Sequence, residues 1–307
     1  MKYLALISML SLVACQGAEE VHSPSEEQLL LYSTQTARSA PGPYASLYEG
    51  LPTELDALCN LIKCQLIHPM EAIQMGWDLE QVSKEGEILD TEDILAMLLE
   101  TDERGLTCER NEADRAVLAC YHHALLLASI LREQGVPVRL RAGFSRYYEK
   151  RAGVRFGHVI CQVWNRQREE WMLVDPDRNL VDLRKDGFDF AWMAWENVCK
   201  GKVDEAIYTS SVSNGIKGIV NLLILDASFL IQQEKLYWDA PEVVLMDWRD
   251  ADELPIQTCN ALNSLAECCR NPDSRLENIR ILLEENRSFH SAGIGYETYL
   301  EMMLNNR

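Results

Sequence analysis

Apolar positions recur along the chain at two different spacings, and the change from one to the other outlines a fold. Leu55, Leu58, Leu61, Ile62 and Leu66 return every three or four residues, predicting a helix with Thr53 as its cap and Pro69 as its end. A second helical pattern, TEDILAMLLET, starts at Thr91, the expected cap. Residues 119–144, ACYHHALLLASILREQGVPVRLRAGF, begin with a helix that is apolar almost all round, the signature of a buried element. Gly135 and Pro137 stop it, and VRLRAGF then alternates as a strand. GHVICQVWN and WMLVDPD read as two further strands joined by the turn NRQREE. From about residue 186 the helical spacing returns through GIVNLLILDASFLIQQEKLYW, ALNSLAECC and NIRILLEEN. Helices, a central helix feeding antiparallel strands, then more helices make an α+β class.

Chemistry enters at the head of the buried helix. A helix built only to pack needs no thiol and two imidazoles, yet Cys120, His122 and His123 open this one. At a helix start, unpaired N–H groups and the positive end of the dipole stabilise a thiolate. The hairpin supplies possible partners. If Trp164 pairs with Trp171, His158 lies opposite Asp177 and Ile160 opposite Asp175, so His158 and Asp175 share a face as diagonal neighbours. A slip of one residue would part them. A histidine held by a carboxylate is the orienting half of a nucleophilic triad. Asp177 is the rival acid. His123, about one helical turn from Cys120, is placed to tune the thiol, although packing or exposure is the stronger reading of both His122 and His123.

Composition narrows the function. The 307 residues carry a formal net charge of -19, which repels phosphate backbones and argues against nucleic-acid binding. Ten cysteines are present, with no CxxC spacing for a zinc ribbon; pairing in an oxidising compartment and burial as free thiols are both open. Cys120, His123, His158 and Asp175 form a conceivable zinc shell, but no dense ligand motif such as HExxH supports one, and no metal or cofactor is expected. At the N-terminus, Lys2 precedes an apolar run from Leu4 to Ala14 that is too short to span a bilayer.

Two stretches resemble known patterns. Leu12-Val13-Ala14-Cys15 is similar to the bacterial lipoprotein box, which implies a signal peptide over 1–14, lipidation at Cys15 and a polar tether over 15–40. Gln16, where an aspartate would resemble an inner-membrane retention signal, implies the periplasmic face of the outer membrane. A cytosolic chain with an apolar first helix is the other reading. The second resemblance lies over residues 115–177. Cys120, the turn Gly135-Val136-Pro137-Val138-Arg139, His158 and Asp175-Pro176 resemble the transglutaminase-like superfamily, whose members carry a nucleophilic cysteine, a helix ending in such a turn, a histidine strand and an aspartate before proline. That resemblance implies a papain-like core of a cysteine-bearing helix on an antiparallel sheet. It implies one domain over 41–307, with its catalytic core at about 106–185 and a helical C-terminal part at about 186–290. Leu118 stands where many relatives have glycine, and Tyr121-His122 where many have a polar pair.

The expected activity is hydrolysis of an amide bond by a Cys120-His158-Asp175 triad through an acyl-enzyme. The expected substrate is a peptide, a protein or amide-containing cell-envelope material. Acyl transfer to an amine, or an inactive scaffold of the same fold, are the alternatives.

Overall fold

The three expected strands form the centre of a six-stranded sheet in the computed structural model, which describes residues 23–78, 86, 88–147 and 149–305. The proposed signal peptide and Cys15 lie outside the described residues. In chain order, the elements that matter are helix α1 (Glu26–Tyr32), α2 (Leu55–Gln65), strand β1 (Leu66–Ile67), α3 (Pro69–Gln74), α4 (Thr91–Thr101), β2 (Ala116–Val117) and α5 (Cys120–Glu133). Then follow β3 (Val138–Ser145), β4 (Arg155–Asn165), β5 (Glu170–Asp175), β6 (Leu180–Val181), β7 (Phe188–Phe190), α6 (Ala191–Cys199), β8 (Tyr208–Thr209), α7 (Gly215–Leu230), α8 (Ile256–Arg270), α9 (Leu276–Glu285) and α10 (Tyr296–Asn305).

The sheet runs β6-β5-β4-β3-β7, with β8 pairing beside the start of β4. Trp164 pairs with Trp171 and Cys161 with Val174, the register that puts His158 and Asp175 on one face. Helix α5 is buried from Tyr121 to Arg132 and lies against β3 and β4. Leu125, Leu127, Ala128 and Leu131 share a core with Val138, Leu140, Val159 and Cys161, and the Cys161 thiol donates to the Ala124 carbonyl at 3.3 Å. The architecture is α+β, a cysteine-bearing helix on a curled antiparallel sheet with further helices on either side in sequence.

Several local expectations change. The cap of α2 is Glu54, with no side-chain cap bond, and Thr53 lies outside. The cap of α4 is Asp90, in a capping box with Asp93, which leaves Thr91 buried in the first turn. Pro69 begins α3 rather than ending a stretch, a position where its missing N–H is harmless. Part of the segment read as tether is folded: Ser25 and Gln28 form a capping box on α1, Leu29 and Tyr32 are buried, and the Tyr32 hydroxyl donates to the Leu230 carbonyl at 2.8 Å. The helical part from 186 onward opens with a strand, because Phe188–Phe190 pair with Gly143–Ser145 and extend the sheet.

Beyond β7, the edge of β3 is closed by α7 instead of a strand. Asp226 accepts the Ala142 N–H at 2.8 Å and grips the Arg141 guanidinium with two bonds of 2.8 Å. Among the described residues, no helix is long and apolar enough to cross a membrane, and all nine described cysteines are free thiols.

Candidate functional site

The site is assembled by two pairings distant in sequence. Short β1 and β2 run parallel with Ile67 beside Val117, and the Leu118 N–H donates to the Ile67 carbonyl at 3.0 Å. This brings residue 68 next to the segment that enters α5. Leu118 is fully buried in this junction. Ala119 caps α5 without a side-chain bond, so Cys120 occupies the first helical position, where N–H groups lack intrahelical partners. Cys120 is partly exposed, unlike the twelve residues that follow it.

The antiparallel hairpin provides the other half. His158 Nε2 lies 2.9 Å from Asp175 Oδ2. Asp175 is fully buried and held further by the Arg178 N–H at 3.2 Å on Oδ1 and by the Tyr147 hydroxyl on Oδ2. The Tyr147 ring stands edge-on to the imidazole, 6.2 Å between centroids, and covers the pair. With Nε2 committed to the carboxylate, His158 has Nδ1 left for the sulfur, and the ring and the Cys120 thiol are close enough to shift each other's protonation.

The electrostatics follow. Burial opposes a charged imidazole, but Asp175 and the Cys120 thiolate outweigh it and raise the His158 pKa well above the ordinary value. Burial likewise pushes the thiol up, and the two imidazoles of His158 and His68 pull it down to about 6. Other thiols move the opposite way: burial raises Cys59 to about 12 and Cys199 to about 11, and holds Cys161 and Cys269 well above the usual range.

Cys120, His158 and Asp175 are therefore brought together. His122 and His123 are not part of that contact. His122 is buried with Nε2 against the Ile88 carbonyl at 3.1 Å, and burial pushes it down to about 3. His123 faces the Ala119 carbonyl at 3.0 Å and Asp177 at 3.7 Å, and burial holds it at about 4. The conceivable zinc shell including His123 is not what the fold gathers. The compact group is His158, Asp175 and Asp177, whose ligand atoms lie within 4.8 Å of one another.

Sequence reasoning missed two contributors, His68 and Tyr147, and named Asp177 only as the rival acid. His68, the cap of α3, stands close enough to Cys120 to draw its thiol pKa down. Tyr147 comes from the connection between β3 and β4, where no motif marks it. Asp177, the rival acid, sits 3.4 Å from Lys63 and 3.6 Å from Arg178. Burial would raise its pKa, but His68, His123, His158 and Arg178 hold it far below the usual carboxylate range. No sequence signal marks His68, since its place depends on the parallel pairing of β1 and β2.

Tyr147→Phe should leave the fold intact and lower turnover by about 5- to 10-fold, the effect of one modest hydrogen bond of about 1 kcal/mol. Steady-state kinetics beside a thermal melt check it; an unchanged rate means the hydroxyl does not help hold Asp175.

Neither the curated proteins nor the solved structures contain a match to this chain. A family model does match. Residues 104–176, from just after α4 to just past Asp175, fit the model described as the transglutaminase-like superfamily. That match takes in the segment that carries Cys120, His158 and Asp175, which is similar to the transglutaminase-like superfamily.

Proposed function

We propose that the protein is a thiol-dependent hydrolase of amide bonds that works through an acyl-enzyme. One observation carries the reading: the Cys120 thiol meets an imidazole whose far nitrogen is held 2.9 Å from a buried carboxylate. In that arrangement the Cys120 thiolate attacks the carbonyl carbon, and the backbone N–H at the start of α5 faces the developing oxyanion. The His158 imidazolium gives its Nδ1 proton to the leaving amine, then takes a proton from the water that releases the acyl group. Asp175 fixes the ring and stabilises its positive charge. An amine in place of that water would make the same site an acyltransferase.

The test uses p-nitrophenyl acetate as acyl donor. Wild type should release p-nitrophenolate in a burst and carry one acetyl group on the Cys120 peptide, by mass mapping. Cys120→Ala should show neither. Equal acetylation of both chains, or none of wild type, overturns the reading. Added methylamine separates water from amine as the acceptor.

Partners and place remain part of this proposal. The substrate is a peptide, protein or amide-containing cell-envelope material, and the chain is held at the envelope by lipid on Cys15. Incorporation of a palmitate analogue into wild type but not Cys15→Ser is the expected result.

A further inference from the structure

A second histidine reaches the sulfur, and its proton points the other way. His68 follows β1 directly and caps α3. Its Nδ1 accepts the Met70 N–H at 3.1 Å. A ring nitrogen that accepts carries no proton, so the proton of neutral His68 sits on Nε2. That leaves Nε2–H for the side toward Cys120, which the β1–β2 pairing brings beside residue 68 and whose thiolate interacts with this ring. His158 is the reverse case: its Nε2 is turned to Asp175, and its Nδ1 is the nitrogen free to accept at the sulfur. Of the two imidazoles at the thiol, one is placed to take a proton and the other only to donate.

We propose that His68 is a catalytic residue of this site, the side-chain donor to the oxyanion formed when Cys120 attacks an acyl carbon; this rests on the hydrolase reading above. As the S–C bond forms, the carbonyl π pair moves onto oxygen, next to the sulfur and within the reach of Nε2–H. The oxygen takes a hydrogen bond and no proton. When its electron pair returns, the bond to the leaving group breaks. His68 needs no transferable proton for this, only a fixed N–H. The backbone fixes it at both ends: the β1–β2 pairing sets where the residue stands, and the cap bond to Met70 sets how the ring turns.

The test separates reactions that do and do not form an oxyanion. Acetylation by p-nitrophenyl acetate needs one, and alkylation by iodoacetamide, a displacement at saturated carbon, does not. At about pH 9.5, above the ordinary thiol pKa, the thiolate is formed with or without His68. His68→Ala should slow acetylation about 10²–10³-fold, the effect of losing one oxyanion donor. Its alkylation rate at that pH should stay within about threefold of wild type. His68→Gln, which restores an N–H donor, should regain about tenfold or more of the lost acetylation rate. Acetylation of His68→Ala at the wild-type rate overturns the proposal. So does an equal fall in acetylation and alkylation, which would make His68 a support for the thiol alone. Failure of the underlying reading is seen separately, as wild type no better acetylated than Cys120→Ala.

Discussion

His158→Ala should lower turnover of an acyl substrate by about 10²–10⁴-fold, the usual worth of a positioned acid and base. Two losses combine in that number. The thiol loses the imidazolium that draws its pKa down to about 6, so less thiolate stands ready near neutrality. The leaving amine also loses its proton donor. Cys120→Ala should abolish the covalent intermediate altogether. Combining the two substitutions should cost no more than Cys120→Ala alone, because groups acting as one unit are not additive. Single-turnover kinetics on the three chains check this. A His158→Ala chain within about threefold of wild type would remove the imidazole from the reaction.

The largest structural effect should come from the clamp between β3 and α7. Asp226 is fully buried in α7, and Arg141 on β3 is almost so. Two bonds of 2.8 Å join them, Gln162 accepts another from the guanidinium at 2.7 Å, and the Phe190 ring lies 4.2 Å from its central carbon. Asp226→Ala strands the guanidinium and the Ala142 N–H without their acceptor. Removing one member of a buried pair costs about 3–5 kcal/mol, most of it the penalty of the charge left behind. Arg141→Leu combined with Asp226→Leu should recover much of that loss, since apolar residues of similar volume often replace such pairs at little cost. Urea unfolding of the three chains measures both. If Asp226→Ala unfolds within about 1 kcal/mol of wild type, the clamp is not what closes the β3 edge.

Much of the site was legible because it is local or periodic. The alternation of GHVICQVWN and WMLVDPD, with tryptophans able to pair across the turn, fixes which face His158 and Asp175 share, and the ladder from Cys161 to Asn165 keeps that register. The apolar run of α5 ending at Gly135 and Pro137 placed Cys120 at a helix start, where it stands. What sequence could not show depends on pairings without a period. Ile67 meets Val117 across fifty positions through strands two residues long, so nothing near His68 announces that it will stand close to Cys120. Phe188–Phe190 is too short to alternate and is a strand only because the edge of β3 is open to it. Asp226, which in sequence merely interrupts an apolar helix, is there for Arg141. Leu29 and Tyr32 sit in a polar stretch that composition reads as tether, but they dock α1 on the body.

The rate of iodoacetamide alkylation at Cys120, followed by mass mapping across pH 4 to 10, tests the activated thiolate most directly. A thiol is reactive only above its pKa, so the wild-type rate should rise with a midpoint near 6 and be level by neutrality. In His158→Ala the midpoint should move up toward the ordinary thiol value of about 8.5. A wild-type midpoint already at about 8.5, unmoved by the loss of His158, would contradict the pairing of sulfur, imidazole and carboxylate on which the proposed chemistry depends.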